Sequence, residues 1–176
     1  LSLYGYGVKG FVLCMIETAS RLSDRAVSVA QLNRMLEIGH ELLEKPIELL
    51  DGVQDTLEQL KGRYRLIMAT KGDLLDQQRK LKKSGLAPYF HHIEIMSDKQ
   101  PGDYHKLIRQ LACAPGNFLM LGNSMKSDIL PVLELGGFAG HIPYQVTWAH
   151  EQHEETPTHT HFVELARMDH ILDYLI

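Results

Sequence analysis

The chain has 176 residues, 44% of them hydrophobic and 23% charged, a composition typical of a globular protein with one core and room for a small appended subdomain. Its formal net charge is −4, which argues against nucleic-acid binding because that function usually needs a clustered basic face. The sequence contains neither the roughly 20 consecutive apolar residues of a membrane-spanning helix nor a signal-peptide pattern. We therefore expect neither nucleic acid nor membrane as a partner.

The two cysteines indicate a reducing environment. Cys14 and Cys113 lie far apart in the sequence and form no CxxC pattern. Free thiols are the favoured interpretation, and a disulfide between the two residues is the lesser alternative. We therefore expect a cytoplasmic protein.

Residues 1–47 predict a helical segment. Apolar side chains recur at three- and four-residue steps from Val8 to Leu22, which is the pattern of one buried stripe along a helix. Ser28 is followed three residues later by Gln31, the spacing of a capping box, so a second helix is predicted to begin there. Pro46 ends the region. The sequence thus predicts a small all-helical subdomain at the amino end.

From residue 48 onwards, short apolar strands alternate with helices. Strands are predicted over residues 64–69, 92–97, 117–121, 138–142 and 161–165. Helices are predicted near Val53 and over residues 74–84, 104–113, 127–135 and 167–176, and residues 144–160 form the one irregular stretch. This alternation implies crossover connections and a parallel sheet. The sequence therefore predicts an α/β core over residues 48–176.

Polar side chains directly follow three of the predicted strands. Thr70 and Lys71 follow the first strand, Lys99 follows the second, and Asn123 follows the third, with Asp128 at the start of the next helix. Taken singly, these residues are explained by a helix cap, a surface lysine and a first-turn acid. Ligands of parallel sheets bind beyond the carboxyl ends of the strands, so we expect the side chains to converge there. Together they suit a phosphate group and a hard divalent cation.

Three of these runs, in order, resemble catalytic motifs two, three and four of the haloacid dehalogenase superfamily. They are residues 69–73, Lys99 and residues 122–128, the last with the spacing of that family's Gly-Asp-x-x-x-x-Asp motif. The resemblance covers about residues 48–145, and the preceding helical segment fits the family's inserted helical cap. It implies a Rossmann-like core and a magnesium-dependent phosphohydrolase acting on a small phosphorylated metabolite through an aspartyl-phosphate intermediate. The oligomeric state is not indicated.

The resemblance also implies a role for each matched residue. Thr70 and the backbone amide of Lys71 would hydrogen-bond the transferring phosphoryl oxygens, so Thr70 is a candidate for both binding and catalysis. Lys99 would neutralise charge between the nucleophilic carboxylate and the phosphoryl group. Asn123 and Asp128 would hold or orient Mg²⁺, directly or through water.

Further candidate contacts lie in the predicted cap. Because the family's cap closes over the substrate and excludes water, Tyr4, Tyr6 and Lys9 are candidate substrate contacts. Specificity would come from this cap and from the loop over residues 144–150. Neither segment carries a pattern that identifies the substrate.

Two departures from the family pattern matter for function. The fourth motif usually opens with Asp and here opens with Asn123, which carries no charge, so we expect weaker metal binding. The first motif, Asp-x-Asp on a strand between those of motifs two and four, is absent, since Asp51 follows no strand and Asp73 belongs to motif two. We expect the natural protein to begin upstream of Leu1. Without that motif, these residues alone should not turn over substrate.

Three alternatives remain open. The first is a non-catalytic relative that retains the fold for partner binding, with Asn123 marking decay of the metal site. The second is dehalogenase rather than phosphatase chemistry. The third is a zinc or nickel site among the clustered histidines His150, His153, His159 and His161, although no HExxH spacing is present. A Gly-x-Gly-x-x-Gly spacing at residues 5–10 follows no strand and so lacks the context of a dinucleotide site.

Overall fold

The computed structural model describes residues 3–24, 26–145 and 156–176. The chain divides into two compact units, one of Leu1–Glu48 and Ile67–Ser97, the other of Leu49–Leu66 and Asp98–Ile176. The first unit therefore combines the predicted helical segment with part of the predicted core. The domain boundary between residues 47 and 48 stays a prediction.

Two helices open the first unit, α1 (Val8–Leu22) and α2 (Val29–Glu44). The predicted capping box at Ser28 is confirmed, because Ser28 Oγ accepts from the Gln31 amide at 3.3 Å and Gln31 Oε1 accepts from the Ser28 amide at 2.9 Å. The two helices meet closely at Gly39, where an added Cβ would lie 2.7 Å from Val12 Cγ2. A small residue is required at that crossing.

The rest of the first unit consists of two parallel strands joined by a helix. These elements are β1 (Ile67–Lys71), α4 (Leu74–Ser84) and β2 (His92–Met96). Ile67 lies opposite His92 and Lys71 opposite Met96. Asp73 caps α4 by accepting from the Asp76 amide at 3.0 Å, and Gly85 ends it in a left-handed conformation (φ 72°). The predicted bounds of α4 are confirmed.

The second unit contains a three-stranded parallel sheet with order β3-β4-β5. Its elements are α3 (Val53–Leu60), α5 (Pro101–Gln110), β3 (Leu119–Gly122), α6 (Leu130–Glu134), β4 (Phe138–His141), β5 (Phe162–Glu164) and α7 (Leu172–Leu175). Ile129, Val132 and Ala139 are fully buried in its core. The predicted α/β fold with parallel strands is confirmed.

Several predicted bounds were wrong for local reasons. The strand predicted to begin at residue 64 begins at Ile67, because the Tyr64 amide donates to Leu60 O at 3.1 Å and so closes a turn there. β1 is half-buried along its whole length. The helix predicted from residue 104 begins at Pro101, whose missing N–H is tolerated in the first helical turn.

Two predicted helices are only partly regular. The one predicted over residues 127–135 begins as a π-helical turn, Met125–Ile129, and continues as α6. Pro131 near the start of α6 has no N–H to donate, so the regular ladder of the α-helix cannot extend unbroken through it. The closing helix, predicted over residues 167–176, is a 3₁₀ turn, Met168–Ile171, followed by α7.

The predicted irregular stretch over residues 144–160 lies largely outside the described residues, as do His150 and His153. Cys14 and Cys113 are free thiols. Across the three described ranges, no helix has both the length and the apolar character needed to cross a membrane.

Candidate active site

Lys99 and Asp128 form a buried ion pair in the second unit. Lys99 follows β2 in the chain, and Asp128 lies in the π-helical turn after β3. The Lys99 Nζ donates to Asp128 Oδ1 at 2.6 Å, and the two residues are only 7% and 5% exposed. Two sequence-predicted site residues 29 positions apart are therefore in direct contact. Charge-assisted hydrogen bonds of this length are stronger than those between neutral groups.

The turn after β3 fixes the Asp128 carboxylate from the other side. The Ser124 amide donates to Asp128 Oδ2 at 3.0 Å, while Ser124 Oγ accepts from the Ser127 amide at 3.0 Å. The amides of Asp128 and Ile129 both donate to Ser124 O, at 2.8 and 3.3 Å, which gives the turn its π-helical form. Such turns occur often at functional sites. Both carboxylate oxygens of Asp128 thus accept a hydrogen bond, Oδ1 from Lys99 and Oδ2 from the Ser124 amide.

Gly122 makes room for this carboxylate at the end of β3. A Cβ at Gly122 would lie 2.3 Å from Asp128 Oδ2 and 2.4 Å from Asp128 Cγ, far inside contact distance. The glycine is therefore required by the close approach of the carboxylate to the backbone. It forms a cradle that no other residue type would leave open.

Tyr104 supports the same turn from α5, and the sequence prediction did not include it. Its fully buried hydroxyl donates to Ser127 O at 2.9 Å. Burial, and then the nearby Asp128 carboxylate, raise the pKa of Tyr104 far above its ordinary value. The hydroxyl is therefore a permanent donor at physiological pH. In the sequence, Tyr104 is marked only by its position five residues after Lys99. A buried aromatic residue at that position cannot be told from an ordinary core residue.

His141 contacts the loop residue Asn123, and it too was missed. The His141 Nε2–H donates to the Asn123 carbonyl oxygen at 3.1 Å, and Asn123 itself is exposed. His141 is the last residue of β4. His141 lies inside the strand predicted over residues 138–142, so the rule that singled out Thr70, Lys99 and Asn123, a polar residue that follows a strand, did not select it.

Thr70 and Lys71 belong to the first unit. Thr70 Oγ1 donates to Gln77 Oε1 at 2.9 Å, and Lys71 Nζ lies 4.3 Å from the centroid of the Tyr6 ring. Lys9, a second candidate from the predicted cap, pairs with Asp73 at 2.6 Å. Tyr6 and Lys9, two of the three candidate contacts from the predicted cap, therefore lie against residues 69–73, the segment that resembles motif two. The assigned roles of Thr70 and Lys71 stay predictions.

The oxygen donors after β3 fit a hard cation. Asn123 offers an amide oxygen and Asp128 a carboxylate, and oxygen ligands of this kind suit Mg²⁺, which usually keeps several waters. The space left by Gly122 admits the Asp128 carboxylate close to the end of β3. Within the described residues, no group of three or more His, Cys, Asp or Glu side chains is placed to hold a metal, and His159 and His161 belong to no such group.

Comparison with known proteins gives one consistent family. The family model described as haloacid dehalogenase-like hydrolase matches residues 6–136. A haloacid dehalogenase-like family hydrolase from Xanthomonas campestris has a TM-score of 0.88 and 32% identity, covering 98% of this chain and 73% of that one. The HAD-hydrolase YfnB of Bacillus subtilis is 28% identical over 113 residues, 61% of this chain and 45% of that protein.

A third relative carries the name of a phosphatase activity. The pyrimidine 5′-nucleotidase PynA of Streptococcus pneumoniae is 35% identical over 89 residues, 47% of this chain and 38% of that protein. The chain thus spans less than half the length of these curated relatives. The family match covers residues 6–136, so it includes α1 and α2 as well as the part of the core that ends with α6.

Proposed function

The chain belongs to the haloacid dehalogenase-like hydrolases, and on that premise we propose that it carries the phosphate- and cation-holding part of a magnesium-dependent phosphohydrolase. The substrate is a small phosphorylated metabolite. The family's nucleophile is the aspartate of its first motif, which is absent from these 176 residues; it attacks phosphorus, the ester P–O bond breaks, and the leaving oxygen takes up a proton and departs as the alcohol. Water then cleaves the aspartyl phosphate, releasing inorganic phosphate and the carboxylate. The free thiols support a cytoplasmic location.

The observation that carries this proposal is the buried pair of Lys99 and Asp128. A lysine with 7% exposure is uncommon unless it is paired, and here its ammonium is held 2.6 Å from a carboxylate. An ammonium fixed in this way costs no reorganisation when charge develops on a phosphoryl oxygen. Lys99 therefore neutralises that charge, and Asp128 holds the lysine in position.

Asn123 and Asp128 are the residues of this chain that would hold magnesium. Bound magnesium supplies positive charge next to the phosphoryl oxygens. A crystal form of YfnB is bound to magnesium, which supports the same ion here. Because Asn123 is neutral, the cation is held more weakly than by two carboxylates. Asp128 contributes the only charge of the two.

Thr70 and the Lys71 amide bind phosphoryl oxygens in this proposal. The Thr70 hydroxyl already makes a hydrogen bond to Gln77, which fixes its rotamer before substrate binds. Tyr6 and Lys9 contact the substrate from the helical cap, and their positions against Lys71 and Asp73 support this role. A cap that covers the phosphate would also exclude water from it.

The test is hydrolysis of an aryl phosphate by the full-length protein. We expect phosphate release that requires Mg²⁺ and stops with EDTA. Thr70→Ala should lower kcat by about 10²–10³, the usual loss for one preorganised donor. Thr70→Ser keeps the hydroxyl and should retain most of the activity. Because Thr70 is only half-buried, both variants should fold, which circular dichroism would verify.

The alternatives give different results in the same assay. Halide release from a 2-haloalkanoate without phosphate release from the aryl ester would establish dehalogenase chemistry. A folded protein without activity on either substrate, with Mg²⁺ present, would establish the non-catalytic binding protein. Equal activity of Thr70→Ala and the wild type would show that the Thr70 hydroxyl has no role in catalysis.

A further inference from the structure

We propose that His141 is a positioning residue that holds Asn123 for cation binding. The inference rests on the proposed function, since it concerns the same magnesium site. His141 does not touch substrate or metal in this assignment. His141 acts through the backbone of Asn123, and Glu164 lies on the opposite side of the histidine ring.

The sheet places His141 between Glu164 and the end of β3, directly before Asn123. β3 ends at Gly122, which lies opposite His141 at the end of β4, and His141 lies opposite Glu164 at the end of β5. The backbone around His141 is tied on both sides, because the Ile142 amide donates to Gly122 O at 2.9 Å and the Leu165 amide donates to His141 O at 2.8 Å. The Cα of His141 is therefore fixed relative to both neighbouring strands.

The histidine ring then has one defined orientation. A carbonyl oxygen can only accept, so Nε2 carries the hydrogen that it donates to Asn123 O at 3.1 Å. The opposite nitrogen, Nδ1, is buried and lies 3.6 Å from Glu164 Oε2. Only 14% of the His141 side chain is exposed, so the surrounding chain restricts the ring. The ring thus spans the gap between the loop carbonyl and a carboxylate.

Asn123 needs such support more than an aspartate would. Ser124, the next residue, is buried and tied into the π-helical turn, whereas Asn123 is exposed. A neutral amide attracts a cation less strongly than a carboxylate does, so its contribution depends on how well its oxygen is placed. The bond from His141 fixes the peptide that follows the Asn123 Cα. Supporting hydrogen bonds of this kind typically change metal affinity 10–100-fold.

The experiment measures Mg²⁺ binding to the full-length protein by calorimetry, with thermal unfolding as a second readout. His141→Phe keeps the ring and removes the donor, and we expect its Mg²⁺ dissociation constant to rise by about 10-fold or more. His141→Gln offers an amide N–H near the position of Nε2 and should restore most of the affinity. His105→Phe removes an exposed histidine on α5 and serves as the matched control with no expected change.

The outcomes separate this inference from the proposed function. If the wild type binds Mg²⁺ and His141→Phe, still folded, binds it equally well, the positioning role is overturned while the phosphohydrolase stands. Loss of affinity in His141→Gln as large as in His141→Phe would also overturn it, because the ring rather than the donor would then matter. A wild type that neither binds Mg²⁺ nor hydrolyses aryl phosphate overturns the proposed function, and the inference with it.

Discussion

Two lysine–aspartate pairs in this protein have the same length and very different surroundings. In the first unit Lys9 Nζ lies 2.6 Å from Asp73 Oδ2, with side chains 63% and 22% exposed. In the second unit Lys99 Nζ lies 2.6 Å from Asp128 Oδ1, with side chains 9% and 7% exposed. Distance alone therefore says nothing about how much each pair contributes to stability.

The two pairs differ in their exposure to solvent, and this sets how much each contributes to stability. Water screens the exposed pair, and such pairs are worth about 0–1 kcal/mol. The buried pair has lost the hydration of both charges, so each partner depends on the other. Removing one partner of a buried pair costs far more than the pair itself contributes. Substitutions at the buried pair should therefore destabilise the protein more than substitutions at the exposed pair.

The largest effect should come from Lys99→Met. The substitution leaves the Asp128 carboxylate buried without its ammonium partner, although Oδ2 still accepts from the Ser124 amide, so we expect a loss of about 3–5 kcal/mol in the free energy of unfolding. Urea denaturation of the full-length protein measures this loss. The double variant Lys99→Met/Asp128→Asn removes the unpaired charge and should be more stable than Lys99→Met alone. A single variant as stable as the wild type would show that the pair is not buried in solution.

An intermediate effect is expected from Gly122→Ala. The added Cβ would meet Asp128 Oδ2 at 2.3 Å, so the turn after β3 must shift. We expect a loss of about 1–3 kcal/mol in unfolding free energy, the usual range for overpacking, together with weaker Mg²⁺ binding. Gly116→Ala is the matched control, because a Cβ there meets nothing within 4 Å. Equal stability of the two variants would show that the Asp128 carboxylate does not need the space left by Gly122.

The smallest effect belongs to Lys9→Met, and it should depend on pH. The hydrogen bond from Lys9 holds the pKa of Asp73 below its ordinary value. A depressed folded-state pKa stabilises the protein above the unfolded-state value, and this contribution is lost as pH falls through the folded-state value.

Lys9→Met should therefore be less stable than the wild type by at most about 1 kcal/mol at pH 7. The difference between the two proteins should shrink as the pH falls from 7 towards about 2, because protonation of Asp73 removes the charge that Lys9 stabilises. Thermal unfolding across this pH range provides the measurement, and Lys9→Arg should stay close to the wild type. A larger loss at pH 2 than at pH 7 would contradict the assigned direction of the pKa shift.

Part of the candidate site was predictable from sequence. Lys99, Asn123 and Asp128 were identified because each follows a strand or begins the next helix, and position along the chain reveals that. The contact between Lys99 and Asp128 was not predicted as a pair. Tyr104 and His141 were missed because each acts on a backbone carbonyl, a partner that carries no mark in the sequence.

Features whose hydrogen bonds close within three or four residues could be predicted from the residue types alone. The capping box of Ser28 and Gln31 and the bounds of α4 are of this kind. The environment of Asp128 could not be predicted in this way, since its partner Lys99 is 29 residues away and its burial depends on how the second unit packs. Local bonds follow from local residue types, whereas burial and distant partners follow from how the chain folds back on itself.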